Sequence, residues 1–460
     1  MSPKGLAPDK LQETPHGGGP GVLVTAAWHS LAWLAAANLV GVLLATLLLF
    51  PALNNWFGEW TYGRWMPVHI NLQLYGWCSL PLVALLMKVY QVDLEPAARW
   101  TRAAFWAWSA ALAVGSLSWL TGHSSGKLFL DWTGYARVFF STAIALLWLL
   151  LAWSLRCHWT DKENSLWLIR IIKTTGLALL FLVPLVLYWS ADPRVYPPVN
   201  PATGGPTGAS QLESTLAIVA ILLMLPFAIS HRKPSRSRWR SIAGTAFAVE
   251  VLLCIALGRG NNSHHRPAQF LSLGSVLLWA PLIPAYYRSF EWPGNSRRWQ
   301  LAWLCWWVLL VPTGWCLFLP GLLDHFKYTD GLVGHALMAM AGFVTSLLIF
   351  LLIVLLGEDG KIFDARWAFI LWHGSTLGYI AIMFLSGWIE GYNPMFAMVP
   401  GAGRNTIYSV RLVFGALMTV TSLSWLLRAS RLVRAQPASV RPEASMDLPA
   451  ARDLASAQAL

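Results

Sequence analysis

The sequence predicts an all-α membrane protein that crosses the bilayer twelve times. Of its 460 residues, 56% are hydrophobic and only 12% are charged, whereas a soluble domain carries about 25% charged residues. Apolar windows of about 20 residues, long enough as helices to cross roughly 30 Å of hydrocarbon, recur along the chain. The 28 tryptophans suit the same environment, because indole rings favour the membrane interface.

The predicted spans are apolar windows separated by polar, basic or proline-rich segments. Polar residues separate spans four and five, the proline- and glycine-rich segment 193–210 separates five and six, and the basic segment 231–240 separates six and seven. We predict one membrane domain, residues 27–427, between an N-terminal tail of residues 1–26 and a disordered C-terminal tail of residues 428–460. In chain order the spans cover residues 27–50, 66–90, 101–121, 133–155, 166–189, 211–230, 240–257, 268–288, 299–323, 331–356, 366–389 and 406–427.

Basic residues predict the orientation of the protein. Because loops rich in lysine and arginine stay in the cytoplasm, both termini are predicted to be cytoplasmic. The formal charge of +12 therefore reflects topology. No soluble surface interleaves basic and aromatic residues, so nucleic acid is excluded as a partner. The basic residues of the cytoplasmic loops are Lys162, Arg170, Lys173, Arg232, Lys233, Arg236, Arg238, Arg240, Arg288, Arg297, Arg298, Arg428, Arg431 and Arg434.

Four of the eleven histidines lie within the predicted bounds of spans. His29 lies at the cytoplasmic start of span one, whereas His69, His335 and His373 lie further inside their spans. An ionisable side chain within a span is a candidate functional residue, because its burial without a partner is costly. His69 and His335 each follow the outer start of a span, so both fall in the outer third of the bilayer. We therefore predict that they share a ligand, most naturally heme iron, which axial histidines commonly hold. His373 enters from the cytoplasmic side, and a hydrogen-bonded core residue is its favoured interpretation.

The five cysteines are scattered and form no Cys-x-x-Cys-His sequence. This pattern excludes covalently attached c-type heme. The cysteines are interpreted as small packing residues.

Five segments resemble subunit I of the heme–copper oxidase superfamily, closest to its C-type (cbb-type) branch. "TYGRWMPVHINLQLYGW" (61–77) is similar to the signature that opens span two, where the histidine binds the low-spin heme b. "YTDGLVGHALMAMAGF" (328–343) resembles the span-ten motif of the family. The resemblance implies a twelve-helix bundle like that of subunit I, and heme b as the cofactor. Spans eight, eleven and twelve are matched by "AQFLSLGSVLLWAP" (268–281), "LWHGSTLGYIAIMFLSGWIEGY" (371–392) and "YSVRLVFGAL" (408–417).

The span-ten motif departs from the family pattern. The family has two histidines two positions apart, which point roughly 200° away from each other and serve two hemes. Here the second position is Leu337, so only one heme obtains a histidine from this helix. Without gaps, His335 corresponds to the ligand of the high-spin heme. A small rotation of span ten would instead give one heme held by His69 and His335, and we favour this interpretation because it uses both buried imidazoles.

The copper site departs further. The family needs a histidine in span six and a histidine pair at the outer end of span seven, but span six here contains no histidine. The positions of the pair fall at Asn261 and Asn262, while an actual pair, His264 and His265, lies nearer to span eight. His264 and His265 remain copper candidates, although surface loop histidines are the favoured interpretation. Span seven also lacks the tyrosine of the C-type branch. The sequence therefore predicts a degraded copper site.

Three further side chains have two interpretations each. Glu250, in the middle of span seven, is a candidate proton relay or a neutral acid hydrogen-bonded to a neighbour. Arg404 and Arg411, at the outer end of span twelve, suit heme propionates through charge-assisted pairing. Interfacial anchoring is their alternative, favoured more for Arg404 than for Arg411.

Three functions fit these patterns. The first is an active terminal cytochrome c oxidase or nitric oxide reductase subunit, and the second is an electron-carrying cytochrome b with one heme on the oxidase scaffold. The third is a heme-based sensor or assembly protein. We favour the second, with heme b and an incomplete copper centre. The resemblance also implies a bacterial inner membrane, the lipid bilayer as environment, and respiratory-complex subunits as partners, with c-type cytochromes on the outer face.

Overall fold

The computed structural model describes residues 21–94, 96–161, 164–199, 212–233, 237–257 and 264–435, and every structural statement below concerns these residues. They contain twelve helices long and apolar enough to cross a membrane, which confirms the prediction of an all-α protein with twelve spans. Because the number of spans is even, the start of span one and the end of span twelve lie on the same side of the bundle, which we call the terminal face. Spans one to twelve cover Val22–Leu49, Tyr62–Val89, Ala98–Leu120, Gly134–Cys157, Trp167–Ser190, Leu212–Ile229, Arg238–Leu257, Pro267–Tyr287, Gly294–Leu317, Asp330–Phe363, Arg366–Tyr392 and Ala402–Ala435.

The first and last helices extend beyond the predicted membrane domain. Span one begins at Val22, inside the segment predicted as the N-terminal tail, and span twelve continues to Ala435. The part of the predicted C-terminal tail from residue 436 onwards lies outside the described residues. On the terminal face, His231–Arg232 pairs with Phe290–Glu291 as two very short antiparallel strands, which join the loops after spans six and eight.

The bundle contains two hydrophobic cores that share spans one and two. The smaller core takes its buried side chains from spans one to five, and the larger takes them from spans one, two and six to twelve. Span ten is the most enclosed helix, since 72% of its most apolar window is buried, compared with 17% for spans five and seven. Span ten therefore lies at the centre of the larger core, and spans five and seven lie at the periphery.

Spans two and ten are interrupted by π-helical segments, and they are the only spans in the described chain that contain one. The segments are Leu72–Cys78 and Met338–Val344, each of seven residues. A hydroxyl side chain directly after each π-helical segment donates a hydrogen bond to a carbonyl oxygen within that segment. Ser79 donates to Leu74 and Thr345 donates to Met340, each at 2.9 Å. Such segments are frequent at functional sites. Here each begins three residues after a candidate histidine.

Candidate functional site

The ring of His69 lies against span one. Its Nδ1 is 2.8 Å from the carbonyl oxygen of Ala37, and a methyl group at Gly41 would lie 2.8 Å from its Cε1. Because Nδ1 donates to a carbonyl, Nε2 carries the lone pair, which is the form in which imidazole binds a metal. Nε2 makes no hydrogen bond to any described residue. His69 therefore has an oriented ring and one free ligand atom.

The ring of His335 lies against span nine. A methyl group at Gly314 would lie 3.2 Å from Cε1 and 3.3 Å from Nε2 of this ring. Its Nδ1 is buried and has no hydrogen-bond partner among the described residues. Nearly all buried polar atoms in proteins are hydrogen-bonded, so this nitrogen is unusual and is available to a further partner.

The two candidate ligands have matched depths in the bundle. Trp77 of span two donates its indole N–H to the hydroxyl of Thr345 in span ten, at 2.9 Å. Spans two and ten run in the same direction, and at about 1.5 Å per residue His69 lies roughly 12 Å and His335 roughly 15 Å before this contact. The rings nevertheless lie against different helices, span one for His69 and span nine for His335, so the structure does not bring them into contact.

His373 occupies a different level, near the start of span eleven on the terminal face. Its Nδ1 accepts a hydrogen bond from the indole of Trp306 at 3.1 Å, and its ring packs against Phe369 and Trp299. Its Nε2 is buried without a partner in the described chain. These aromatic contacts agree with a core residue, and the level of His373 separates it from His69 and His335.

Arg411 lies in a buried polar cluster at the face opposite the termini. Its guanidinium pairs with Asp330 at the start of span ten, with Nη1 and Oδ2 2.5 Å apart. The single hydroxyl proton of Ser386 is shared between Asp330, at 3.0 Å, and Glu390, at 2.7 Å. Glu390 also accepts from the backbone N–H of Asp330 at 2.8 Å. Asp330 and Glu390 were not predicted as site residues, because each lies one residue outside its predicted span, 331–356 or 366–389, while the observed spans include both.

The guanidinium of Arg404 donates hydrogen bonds to backbone carbonyl groups. It donates to the carbonyl oxygen of Ala397 at 2.9 Å and to that of Leu48, at the end of span one, at 3.0 Å. Its guanidinium also lies over the ring of Tyr408, 4.4 Å from the ring centroid. These contacts tie span twelve to span one and to the preceding loop, as expected of an anchoring residue.

Glu250 lies between spans seven and eight. The hydroxyl of Ser275 donates to Oε1 at 2.7 Å, and the indole N–H of Trp279 donates to Oε2. Both carboxylate oxygens are therefore hydrogen-bonded to span eight, which holds the buried side chain in one position.

His264 and His265 converge on a carboxylate that was not predicted. Their Nε2 atoms lie 2.8 Å and 3.3 Å from Oδ1 of Asp324, in the loop between spans nine and ten. Partial burial raises the pKa of Asp324, but hydrogen bonds from the Gly321 N–H and from His264 outweigh this effect and lower the pKa below its usual value. The family-pair positions Asn261 and Asn262 lie outside the described residues.

Comparison with known proteins gives one partial similarity. Over 124 residues, 24% of this chain, the sequence is 32% identical to cytochrome c oxidase subunit 1 of Rhodobacter capsulatus. The chain spans only 22% of the length of that relative, and no family model matches the sequence. The twelve spans describe a multi-pass membrane protein, and part of its sequence is similar to that oxidase subunit.

Proposed function

We propose that this chain is a membrane-integral heme b protein that carries electrons within a respiratory complex, on the scaffold of heme–copper oxidase subunit I. One observation carries the proposal. Spans two and ten run in the same direction, and each holds a histidine at a similar depth. Each of these histidine rings has a nitrogen without a partner in the described chain. A π-helical segment begins three residues after each histidine.

The residues present fit an iron ligand. His69 would bind through Nε2, with Ala37 orienting the ring, and His335 would supply the second imidazole. When bound, heme b supplies one-electron transfer at its iron, and the surrounding helices exclude water from it. Arg411 has five N–H donors, so it would keep Asp330 while pairing with a propionate. Arg404, whose contacts are with backbone carbonyls, would act as an anchor.

The arrangement of ligands has two forms. In the shared form, His69 and His335 would both bind the iron of one heme, which requires a small rotation of span ten. In the separate form, His335 keeps its position beside Gly314 and binds a second heme. The matched depth supports the shared form, and the contact of His335 with span nine supports the separate form. We propose the shared form, because it pairs both imidazoles on one iron.

We further propose that the centre lacks a complete copper site. Span six contains no histidine, and the histidines that follow the outer end of span seven, His264 and His265, are directed to Asp324. The protein is proposed to lie in the bacterial inner membrane with cytoplasmic termini, and to assemble with respiratory subunits, including c-type cytochromes on the outer face. A heme-based sensor is the competing function, and a heme that never equilibrates with quinol or cytochrome c would favour it.

The test is a heme and copper count on the purified full-length protein, with a reduced-minus-oxidised optical spectrum. We expect heme b without stoichiometric copper. His69→Ala should abolish the low-spin α-band, and the matched control His373→Ala should retain it. An unchanged α-band in His69→Ala would refute the assignment, and one copper per chain that is retained in Asp324→Asn would favour an active oxidase.

A second variant separates the two ligand arrangements. In the shared form, His335→Ala removes one axial ligand, so the spectrum should change from low-spin to high-spin. In the separate form, His335→Ala removes a second heme and leaves the band of the His69 heme unchanged. The heme content of the variant, measured beside its spectrum, distinguishes these outcomes.

A further inference from the structure

A cluster of three metal-binding side chains lies in the loops opposite the terminal face. His264 and His265 stand just before span eight, and Asp324 stands in the short helix Leu322–Phe326 before span ten. One ligand atom from each residue lies within 4.8 Å of the other two. About 60 residues of sequence separate the histidines from the aspartate, so only the fold brings them together.

The spacing of these ligand atoms approaches that of a metal site. A tetrahedral zinc ion with bonds of about 2.0–2.2 Å places its ligand atoms roughly 3.3–3.6 Å apart. Asp324 Oδ1 lies 3.3 Å from His265 Nε2, within that range, and 2.8 Å from His264 Nε2, so the His264 contact must lengthen when an ion binds. Zinc accepts imidazole and carboxylate ligands together, and a site with three protein ligands leaves the fourth position to water.

The surroundings of the cluster orient its ligands. The second carboxylate oxygen of Asp324 accepts a hydrogen bond from the Gly321 N–H at 3.0 Å, which directs Oδ1 towards the histidines. His264 is buried and His265 is exposed, so the site has a fixed inner side and an outer side open to solvent. The neighbouring His325 is directed elsewhere, since its Nε2 lies 3.1 Å from the carbonyl oxygen of Trp388.

We infer that His264, His265 and Asp324 bind one divalent transition-metal ion of the zinc class. The ion joins the segment before span eight to the helix before span ten, and it replaces the hydrogen bonds that now link these residues. The site lies outside the membrane-spanning helices and is independent of the proposed heme, so each can be tested without the other.

The experiment uses the full-length protein in detergent, stripped with a chelator and titrated with Zn²⁺. Zinc is the chosen probe because Cu²⁺ binds histidine surfaces more tightly and less selectively. We expect one Zn²⁺ per chain, and a loss of affinity of at least about tenfold in both His264→Ala and Asp324→Asn, since even the loss of a group that supports a metal ligand costs this much. His325→Gln is the matched control and should bind Zn²⁺ like the parent protein.

Asp324→Asn preserves the shape of the side chain, so the test does not depend on whether His264→Ala folds. A thermal unfolding curve reports the integrity of the bundle in every zinc-free variant and does not require the proposed heme. Zinc binding that is absent from the parent, or equally strong in Asp324→Asn and His325→Gln, would show that the three residues form a hydrogen-bonded cluster only.

Discussion

The indole N–H of Trp77 donates to the hydroxyl of Thr345 across 2.9 Å, and this bond joins the two spans that carry His69 and His335. Both side chains are buried. Trp77 lies within the π-helical segment of span two, and Thr345 immediately follows that of span ten. The contact therefore fixes the relative height of the two candidate ligands, at the level where both helices depart from regular α geometry.

We expect Trp77→Phe to perturb the heme. The variant loses one buried hydrogen bond, worth about 1 kcal/mol, and leaves a small cavity between spans two and ten. Both changes loosen the alignment of His69 with His335, so the α-band should broaden or shift, and the thermal midpoint should fall. The measurements are the reduced-minus-oxidised spectrum and a thermal unfolding curve in detergent.

Trp148→Phe is the matched control for this change. Its indole N–H donates to the carbonyl of Leu177 at 2.7 Å and so links spans four and five, away from both candidate ligands. This variant should lose stability without a change in the heme band. An identical spectral change in both variants would contradict the role given to Trp77.

The pair formed by Arg411 and Asp330 should contribute strongly to stability. Removal of one partner from a buried ion pair leaves an uncompensated charge, at a cost of about 3–5 kcal/mol, and here Asp330 would also remain beside Glu390. We expect Arg411→Leu to lower the thermal midpoint by a large amount. The double variant Arg411→Leu/Asp330→Asn should recover part of the loss, because it removes the uncompensated carboxylate.

The control for the buried pair is the exposed pair of Arg64 and Glu59, whose Glu59 side chain is 81% exposed. An exposed pair contributes about 0–1 kcal/mol, so Glu59→Gln should leave the midpoint nearly unchanged. Equal losses in Glu59→Gln and Arg411→Leu would mean that burial does not strengthen the inner pair.

Two substitutions at Glu250 separate the two interpretations of this residue, a hydrogen-bonded structural acid and a candidate proton relay. In Glu250→Gln, the amide oxygen can accept from Trp279, and the amide N–H can donate to Ser275, so both contacts are kept. Glu250→Leu leaves the Trp279 N–H without an acceptor, which costs about 1–3 kcal/mol. We expect only the leucine variant to lower the thermal midpoint.

A relay also requires a group that titrates, which glutamine does not. Glu250→Gln should therefore slow the proton uptake that accompanies heme reduction, measured with a pH-sensitive dye in proteoliposomes. Unchanged uptake in this stable variant would assign Glu250 to packing between spans seven and eight.

The sequence predicts the spans well because crossing a bilayer imposes a length and a composition on each helix, whatever its neighbours are. It also predicts the matched depth of His69 and His335, since depth depends on position along each helix. The direction in which the His335 ring points was not predictable, because rotation of a helix about its axis is set by the packing of neighbouring helices. The rotation of span ten also determines that the His335 ring lies against Gly314.

The contacts that join distant segments were also not predictable. Asp324 reaches His264 through folding of two loops, and no local pattern links them. The π-helical segments were not predictable either, because they arise from a change in the register of a few backbone hydrogen bonds within spans two and ten. The cluster of Asp330 and Glu390 was missed for a simpler reason, since each acid lies one residue beyond a predicted span and only the structure extends the helices to include them.

Spans ten and eleven pack closely at Gly387, and we expect this position to tolerate no side chain. A methyl group at Gly387 would lie 2.1 Å from the backbone nitrogen of Gly331 and 2.5 Å from its Cα. Small residues allow such contact between membrane helices, and backbone atoms cannot move aside as a flexible side chain can. Gly387→Ala should therefore separate the two helices at the start of span ten, at a cost of about 1–3 kcal/mol.

Gly374→Ala on the same span is the control, since no atom lies within 4 Å of the added methyl group. This control should match or slightly exceed the parent in thermal midpoint, because alanine favours helix over glycine by about 1 kcal/mol. Since Asp330 stands at this junction, the Gly387 variant should also weaken its pairing with Arg411, and equal midpoints for the two alanine variants would contradict the close packing.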